Sequence, residues 1–143
     1  MRRFVLVAFL TAAAVAAAGA CAATVVVRSC GSLTVGPTAL RTGSSGRGAS
    51  CMLSAFRTCS PAVYQLSSFG VDTIGRSTFT IVRRSGGCSV TVAVSFQIVP
   101  HPAKAPTVGH CTAIVHAGSD IVATGCHGSA LTATESLTGR HTG

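Results

Sequence analysis

Cysteine usage is the feature that most constrains the fold of this chain. Seven cysteines occur in 143 residues. Six of them follow the apolar N-terminal stretch that ends near Cys21; they are Cys30, Cys51, Cys59, Cys88, Cys111 and Cys126. An even set of cysteines in a short exported chain predicts a disulfide framework, and the count alone leaves its connectivity open.

The N-terminus has the layout of a bacterial secretory signal. Arg2-Arg3 precedes an apolar, Ala-rich run that ends in small residues, with Ala-x-Ala sites at Ala18 to Ala20 and at Ala20 to Ala22. We predict a signal peptide of residues 1–23 that is cleaved to release a secreted protein. Two alternatives stay open. One is an uncleaved membrane anchor; the other is a lipoprotein signal of residues 1–20 with lipid on Cys21, although that motif usually has Leu where Ala18 stands.

The odd number of cysteines limits how Cys21 can be processed. Cleavage in front of an unmodified Cys21 would leave an exposed free thiol outside the cell, which is unfavourable. The cut therefore falls after Cys21, or Cys21 is lipidated. The predicted location is extracellular or, with a lipid on Cys21, anchored at the cell envelope, and membrane contact is expected only with that lipid or with an uncleaved signal.

Composition predicts one small domain with a thin core and a basic surface. The chain has no Trp and one Tyr, so each disulfide is expected to matter, contributing roughly 2–4 kcal/mol. Without Arg2-Arg3, nine of the eleven cations remain against three acids, a net charge of +6. Such a surface attracts anionic polymers or lipid headgroups. Only Arg83-Arg84 adjoin among the scattered cations, so specific nucleic-acid binding is not expected.

The predicted fold class is α+β, with one short helix packed on an antiparallel sheet of about four to five strands. Apolar residues recur with helical spacing at Ala49, Met52, Leu53 and Phe56, which predicts a helix over Ser50–Cys59 that ends before Pro61. The Gly-, Ser- and Thr-rich stretch from Gly36 to Gly48 is predicted to be a mobile loop. We place the single domain at residues 24–127 and expect residues 128–143 to be a disordered polar tail.

Alternating apolar residues predict the strands. Cys88–Ile98 is the clearest, Val63–Phe69 another, and Thr24–Val27 and Leu33–Val35 are short candidates. A two-residue turn at Gly86-Gly87 would pair Ile81 with Val92 and Phe79 with Val94. The proline-containing stretch Val99 to Pro106 is expected to be a connection.

The last hairpin predicts a disulfide. A two-residue turn at Gly118-Ser119 places Cys111 directly opposite Cys126, within the distance a disulfide bridges. For the four remaining cysteines we favour Cys59–Cys88 and Cys30–Cys51, which is one of three possible pairings that the sequence leaves open.

The same register sets His110 opposite His127. Two opposed imidazoles could hold zinc or copper, but His116, six residues along the strand and roughly 20 Å away, is too distant to be a third ligand. We therefore expect two surface histidines, no metal site and no cofactor. No catalytic residue is predicted either, because the only acids are Asp72, Asp120 and Glu135, and Asp72 lies in a typical turn sequence.

Three stretches carry a resemblance to known proteins: Cys51 to Ala62, Gly70-Val71-Asp72-Thr73 and Gly86-Gly87-Cys88. Together they resemble small uncharacterised cysteine-rich secreted proteins and lipoproteins of actinobacteria and other soil bacteria. The resemblance covers about Cys51 to Cys126. It implies export and a shared scaffold, and no particular activity.

The function predicted from the sequence is a non-catalytic secreted or envelope-associated binding module, whose partner is an extracellular protein or an anionic surface. This prediction rests on the basic, cross-linked scaffold and its loops, since loops on rigid scaffolds usually carry recognition. One alternative is a secreted protease inhibitor that presents a loop at Gly43 to Gly48 or Pro100 to Pro106. The other is a small extracellular hydrolase that uses Asp72.

Mass spectrometry of the protein recovered from a bacterial host tests the processing. We expect a mature N-terminus after Cys21, or a diacylglyceryl group on Cys21. A mature protein that begins with an unmodified Cys21 would contradict the parity argument.

Overall fold

The computed structural model describes residues 25–37, 41–43 and 45–139. Its elements, in chain order, are β1 (Arg28–Val35), β2 (Arg41–Gly43), α1 (Ser45–Arg57), β3 (Ala62–Phe69), β4 (Thr73–Arg84), β5 (Gly87–Ile98), β6 (Thr107–Cys111), β7 (Ala113–Ala117), β8 (Asp120–Thr124) and β9 (Thr134–Ser136). The predicted signal peptide lies outside the described residues. Within the described ranges, no helix has the length and apolar character needed to span a membrane.

The strands form two sheets. A six-stranded sheet has the order β2-β1-β3-β4-β5-β6, and a three-stranded sheet has the order β7-β8-β9. All pairs are antiparallel except β1 with β3, whose parallel pairing needs the crossover that α1 supplies. The predicted α+β class is therefore broadly right, but the protein is mostly β and has more strands than expected.

Helix α1 packs on the inner face of the large sheet. Ala49, Met52 and Leu53 are buried as predicted, and Phe56 is half-buried. The helix begins at Ser45. The prediction of a loop over Gly36–Gly48 is therefore wrong for Arg41–Gly43, which form β2, and for residues 45–48, which form the first helical turn. The glycine at 48 is a packing requirement, because a Cβ there would overlap the ring of Tyr64.

The helix ends in a Schellman motif next to Pro61. Cys59 has a left-handed backbone with φ of +52°. Its N–H donates to the Phe56 carbonyl (3.1 Å), and the Ser60 N–H donates to the Ala55 carbonyl (2.9 Å). These two bonds satisfy carbonyls that the last turn leaves without helical partners.

Three disulfides join the elements, and they are the three pairs expected from the sequence. Cys30–Cys51 connects β1 to α1, with Cα atoms 5.6 Å apart. Cys59–Cys88 connects the helix end to β5, with a Cα separation of 5.5 Å. Cys111 and Cys126 have Cα atoms 3.9 Å apart and stand opposite each other beside the hydrogen-bonded pair His110–His127.

The hairpin of β7 and β8 has the predicted register. Ala117 pairs with Asp120 around Gly118-Ser119, and Ala113 pairs with Thr124. The hairpin of β4 and β5 differs, because Ile81 pairs with Val90 and Phe79 with Val92. Its turn is at Ser85-Gly86, and the register is displaced by two residues. Side chains in a strand alternate with a period of two, so the predicted faces survive although the predicted pairs are wrong.

The first predicted strand also needs correction. Val25–Val27 is exposed and lies outside any strand, while one continuous strand, β1, contains both Cys30 and Leu33–Val35. Thr24 lies outside the described residues. A valine run has high strand propensity, but propensity without a pairing partner does not form a strand.

The C-terminal segment is structured over residues 128–139, which corrects the expectation of a disordered tail there; residues 140–143 lie outside the described part. Strand β9 pairs with β8, and Leu137 is fully buried. The carboxylate of Asp120 accepts hydrogen bonds from Ser136 Oγ (2.8 Å), the Ile121 N–H (2.7 Å) and Thr138 Oγ1. Ser136 and Thr138 of this polar segment are therefore hydrogen-bond partners of a buried carboxylate, which the composition of the segment does not indicate.

Tyr64 links this segment to the core and gives a measurable pH dependence. Its hydroxyl donates to the Leu137 carbonyl at 3.1 Å, and burial raises the pKa of Tyr64 to about 12. Because the folded pKa lies above the unfolded value near 10, the free energy of unfolding should hold up to about pH 10. It should then fall by roughly 2–3 kcal/mol as the pH approaches 12.

Absorbance at 295 nm reports this titration directly, since Tyr64 is the only Tyr and there is no Trp. In the folded protein we expect a midpoint near pH 12, and in denaturant a midpoint near 10. Tyr64→Phe should remove this part of the pH dependence of stability. Titration of the folded protein near pH 10 would contradict the burial of the hydroxyl.

Candidate ligand pocket

The inner face of the large sheet is covered by two different elements. At the end where β1 and β3 begin, α1 packs against β1, β3 and β4. At the opposite end, where β1 and β3 finish, residues 130–139 lie over the same face. Between this C-terminal segment and the sheet is a cavity of about 310 Å³, at the lower end of the range for small-molecule sites.

The sheet supplies the floor of the cavity. Apolar lining residues come from three strands: Val35 from β1, Leu66 from β3, and Val94 and Phe96 from β5. They share the inner face because they alternate with outward-facing residues along each strand. Ser68, Gly75 and Ser77 complete the floor, with Arg76 at its margin.

Gly75 keeps the floor open. A Cβ at this position would approach Ser68 Oγ to 2.7 Å and the Phe96 ring to 3.4 Å. Any larger residue would therefore push the wall inward. The cavity keeps its shape at this point because Gly75 has no side chain.

The C-terminal segment supplies a roof rich in hydroxyls. Thr132, Thr134, Glu135 and Ser136 line it. Glu135 Oε1 accepts from the Thr132 N–H at 2.7 Å and from Thr132 Oγ1 at 2.9 Å. These local hydrogen bonds fix the loop before β9. The roof therefore has a defined conformation, with the carboxylate of Glu135 lining the cavity.

A smaller hollow adjoins the cavity. It has a volume of about 250 Å³ and is lined by Phe96, Ile98, His101, Pro102 and Lys104. Phe96 lines both spaces and is 55% exposed. One aromatic side chain thus separates two partly apolar hollows at the same end of the sheet.

The histidines considered from the sequence lie elsewhere. His110 and His127 exchange backbone hydrogen bonds of 2.9 and 2.8 Å, in the predicted register, and both side chains are exposed. His110 Nδ1 lies 3.4 Å from Thr91 Oγ1, and His116 is exposed on β7. Among the described residues, no group of three or more His, Cys, Asp or Glu side chains is placed to hold a metal ion.

The acids have three separate environments. Asp72 is exposed in the turn between β3 and β4, where its backbone carbonyl accepts from the Val99 N–H at 2.9 Å. It lines neither hollow. Asp120 is buried, and Glu135, expected in a disordered tail, lines the cavity instead. Cys21, the candidate for lipidation, lies outside the described residues.

The two loops considered for protease inhibition differ in the structure. Gly43 ends β2, and residues 45–48 form the first turn of α1, so this stretch is not a free loop. Residues 99–106 are exposed throughout and connect β5 to β6.

The cavity itself could not be found from the sequence. Alternation on β3, β4 and β5 identifies the floor, but the roof comes from a segment of Ser, Thr, Ala and Gly that has no apolar period. The available signals were Leu131 and Leu137, two apolar residues in a polar stretch, which pack against or within the core.

No protein-family model, curated protein or solved structure matches this chain. The resemblance to cysteine-rich secreted bacterial proteins stays a prediction from the sequence.

Zinc titration tests the histidine pair. Two exposed imidazoles without a third ligand should bind zinc weakly. We expect equal, weak binding by the native protein and by His110→Ala, measured calorimetrically. Tight binding that His110→Ala abolishes would assign a metal site to the pair.

Proposed function

We propose that this protein is a non-catalytic binding module that works outside the cytoplasm, and that the cavity under residues 130–139 holds its ligand. The observation that carries the proposal is the cavity itself: an apolar floor on a rigid sheet facing a hydroxyl-rich roof. A concave space that offers apolar surface together with convergent polar groups can hold a small molecule.

The lining favours a particular class of ligand. Val35, Leu66 and Val94 would contact an apolar body, while the hydroxyls of Ser68 and Ser77 could bond a polar group. Arg76 and Glu135 contribute one charge of each sign, so the margin does not select a strongly charged molecule. A small, largely apolar molecule that carries hydroxyl or carbonyl groups fits these walls best.

The polar groups around the cavity support binding over catalysis. The carboxylate of Asp120 already accepts three hydrogen bonds from residues of β8 and the C-terminal segment. One oxygen of Glu135 is held by Thr132, and Asp72 lies outside both hollows. A hydrolase would need a nucleophile and a base within hydrogen-bond reach of each other. Among the residues that line the cavity, Thr132 and Glu135 make such a contact, but Thr132 Oγ1 also donates to the Thr134 carbonyl at 2.6 Å and is held within the roof.

The disulfides support a location outside the cytoplasm. Structural disulfides form and persist in oxidising compartments, whereas cytosolic thiols are kept reduced. Three bridges in a chain of this size suit the predicted export. Release into the medium or attachment through Cys21 are both compatible with the proposed site.

A cavity-filling variant tests the site. Ser77→Phe places a ring inside the cavity, whereas Thr78→Phe, one residue along β4, places it on the opposite face of the sheet. The probe is the neutral fluorophore N-phenyl-1-naphthylamine, whose emission rises in apolar surroundings. We expect native protein and Thr78→Phe to enhance its fluorescence with equal affinity, and Ser77→Phe to weaken binding at least tenfold.

Circular dichroism and intact disulfides must first show that both variants are folded. Equal binding by all three proteins, or none by the native protein, would contradict a ligand site in this cavity. Native mass spectrometry of the protein from its host would then identify any small molecule retained by Thr78→Phe and lost from Ser77→Phe.

A further inference from the structure

One end of the large sheet gathers four arginines that are scattered in the sequence. Arg28 begins β1, Arg57 ends α1, and Arg83-Arg84 end β4. All four are exposed. We call this group the basic end.

The Cys59–Cys88 disulfide brings the four positions together. Arg83 pairs with Cys88 across the β4–β5 hairpin, and Arg57 lies two residues before Cys59. The Phe56 carbonyl oxygen is 3.5 Å from Cys88 Sγ, which places the last helical turn directly against this hairpin. The Arg28 N–H donates to the Pro61 carbonyl at 3.0 Å, so the start of β1 lies beside the same connection.

Acidic side chains do not offset these charges in the part of the chain that is described. Asp72 is in the turn after β3, at the far end of the sheet. Asp120 is buried, and Glu135 lines the cavity. The positive potential at the basic end is therefore uncompensated by a neighbouring carboxylate among these residues.

An exposed apolar stretch continues from the basic end. Val25 is 70%, Val26 85% and Val27 49% exposed, and the three valines directly precede Arg28. Cations beside exposed apolar side chains are the combination that binds an anionic membrane interface, with the apolar groups entering the headgroup boundary. A soluble polyanion would engage the arginines but would leave the valines in water.

The cavity lies at the opposite end. Strand β3 runs from Ala62, near the basic end, to Phe69, near the cavity, and eight residues of strand span roughly 25 Å. We propose that the basic end is a docking surface for anionic lipid, which holds the protein with its cavity facing away from the membrane. This surface does not depend on the identity of any ligand in the cavity.

Vesicle sedimentation tests the proposal with the full chain carrying Cys21→Ser, exported and processed by a bacterial host so that no lipid is attached. The vesicles are phosphatidylcholine alone or phosphatidylcholine with 30% phosphatidylglycerol. We expect binding to the anionic vesicles only, weakened by salt. Removing Arg57, Arg83 and Arg84 together as glutamines should weaken it by about a hundredfold, at roughly fivefold per cation near the surface.

A matched control removes the same charge elsewhere. The triple variant Arg47→Gln, Arg76→Gln, Lys104→Gln also lowers the net charge by three but leaves the basic end intact. It should bind anionic vesicles within about threefold of the parent, the residual effect of overall charge. Equal losses in the two triple variants would overturn the proposal, as would absence of binding to anionic vesicles.

Heparin separates lipid from a soluble polyanion. Val25→Ser with Val26→Ser should weaken vesicle binding several-fold and leave heparin affinity unchanged. If this variant keeps full vesicle affinity, or if the arginine triple loses heparin binding while retaining vesicle binding, the basic end is not a lipid surface.

Discussion

The two disulfides of the helix set the geometry on which the other elements depend. A 13-residue helix is marginal by itself in water and needs tertiary packing. Here Cys51 fixes it to β1 and Cys59 fixes its end near β5, and β3 and β4 lie between those strands in the sheet. The helix is thereby held across four strands, which compensates for a core that contains no Trp. The same attachment gathers the arginines of the basic end.

The C-terminal segment is held by a different kind of interaction. Burying a carboxylate is costly unless hydrogen bonds replace its water, and Asp120 obtains those bonds from Ile121, Ser136 and Thr138. Leu137 lies between the two hydroxyl donors, and its carbonyl accepts the Tyr64 hydroxyl. Polar bonds on both sides of one buried leucine therefore keep the segment over the sheet, and the cavity exists because the segment stays there.

Local sequence patterns predicted those elements that short-range features, such as a tight turn or helical spacing, determine. The β7–β8 register followed from the short turn at Gly118-Ser119, and the face of α1 followed from helical spacing. The β4–β5 turn was misplaced by one residue, which shifts the pairing register by two, because Ser85, Gly86 and Gly87 offer more than one turn that preserves the same faces. The roof of the cavity was missed because its contacts with Asp120 and Tyr64 are long-range, and the Ser- and Thr-rich sequence gives no periodic signal. Arg28 and Arg57 joined Arg83-Arg84 only through a disulfide and a strand pairing that no linear scan shows.

The two ends of the sheet differ in their chemistry, which is why a separate proposal rests on each of them. The basic end combines charge with exposed side chains, so the energetics of anion binding there depend on long-range attraction and on the ionic strength. The other end has a partly open cavity with both apolar and polar walls beneath a roof held by buried hydrogen bonds, so binding there would depend on shape and desolvation. A surface that attracts anions and a cavity that selects by shape can operate independently only if the scaffold between them is stiff. Two disulfides fix α1 to the large sheet and the third joins β6 to the segment after β8, so covalent links, and not a large core, hold the scaffold between the two ends.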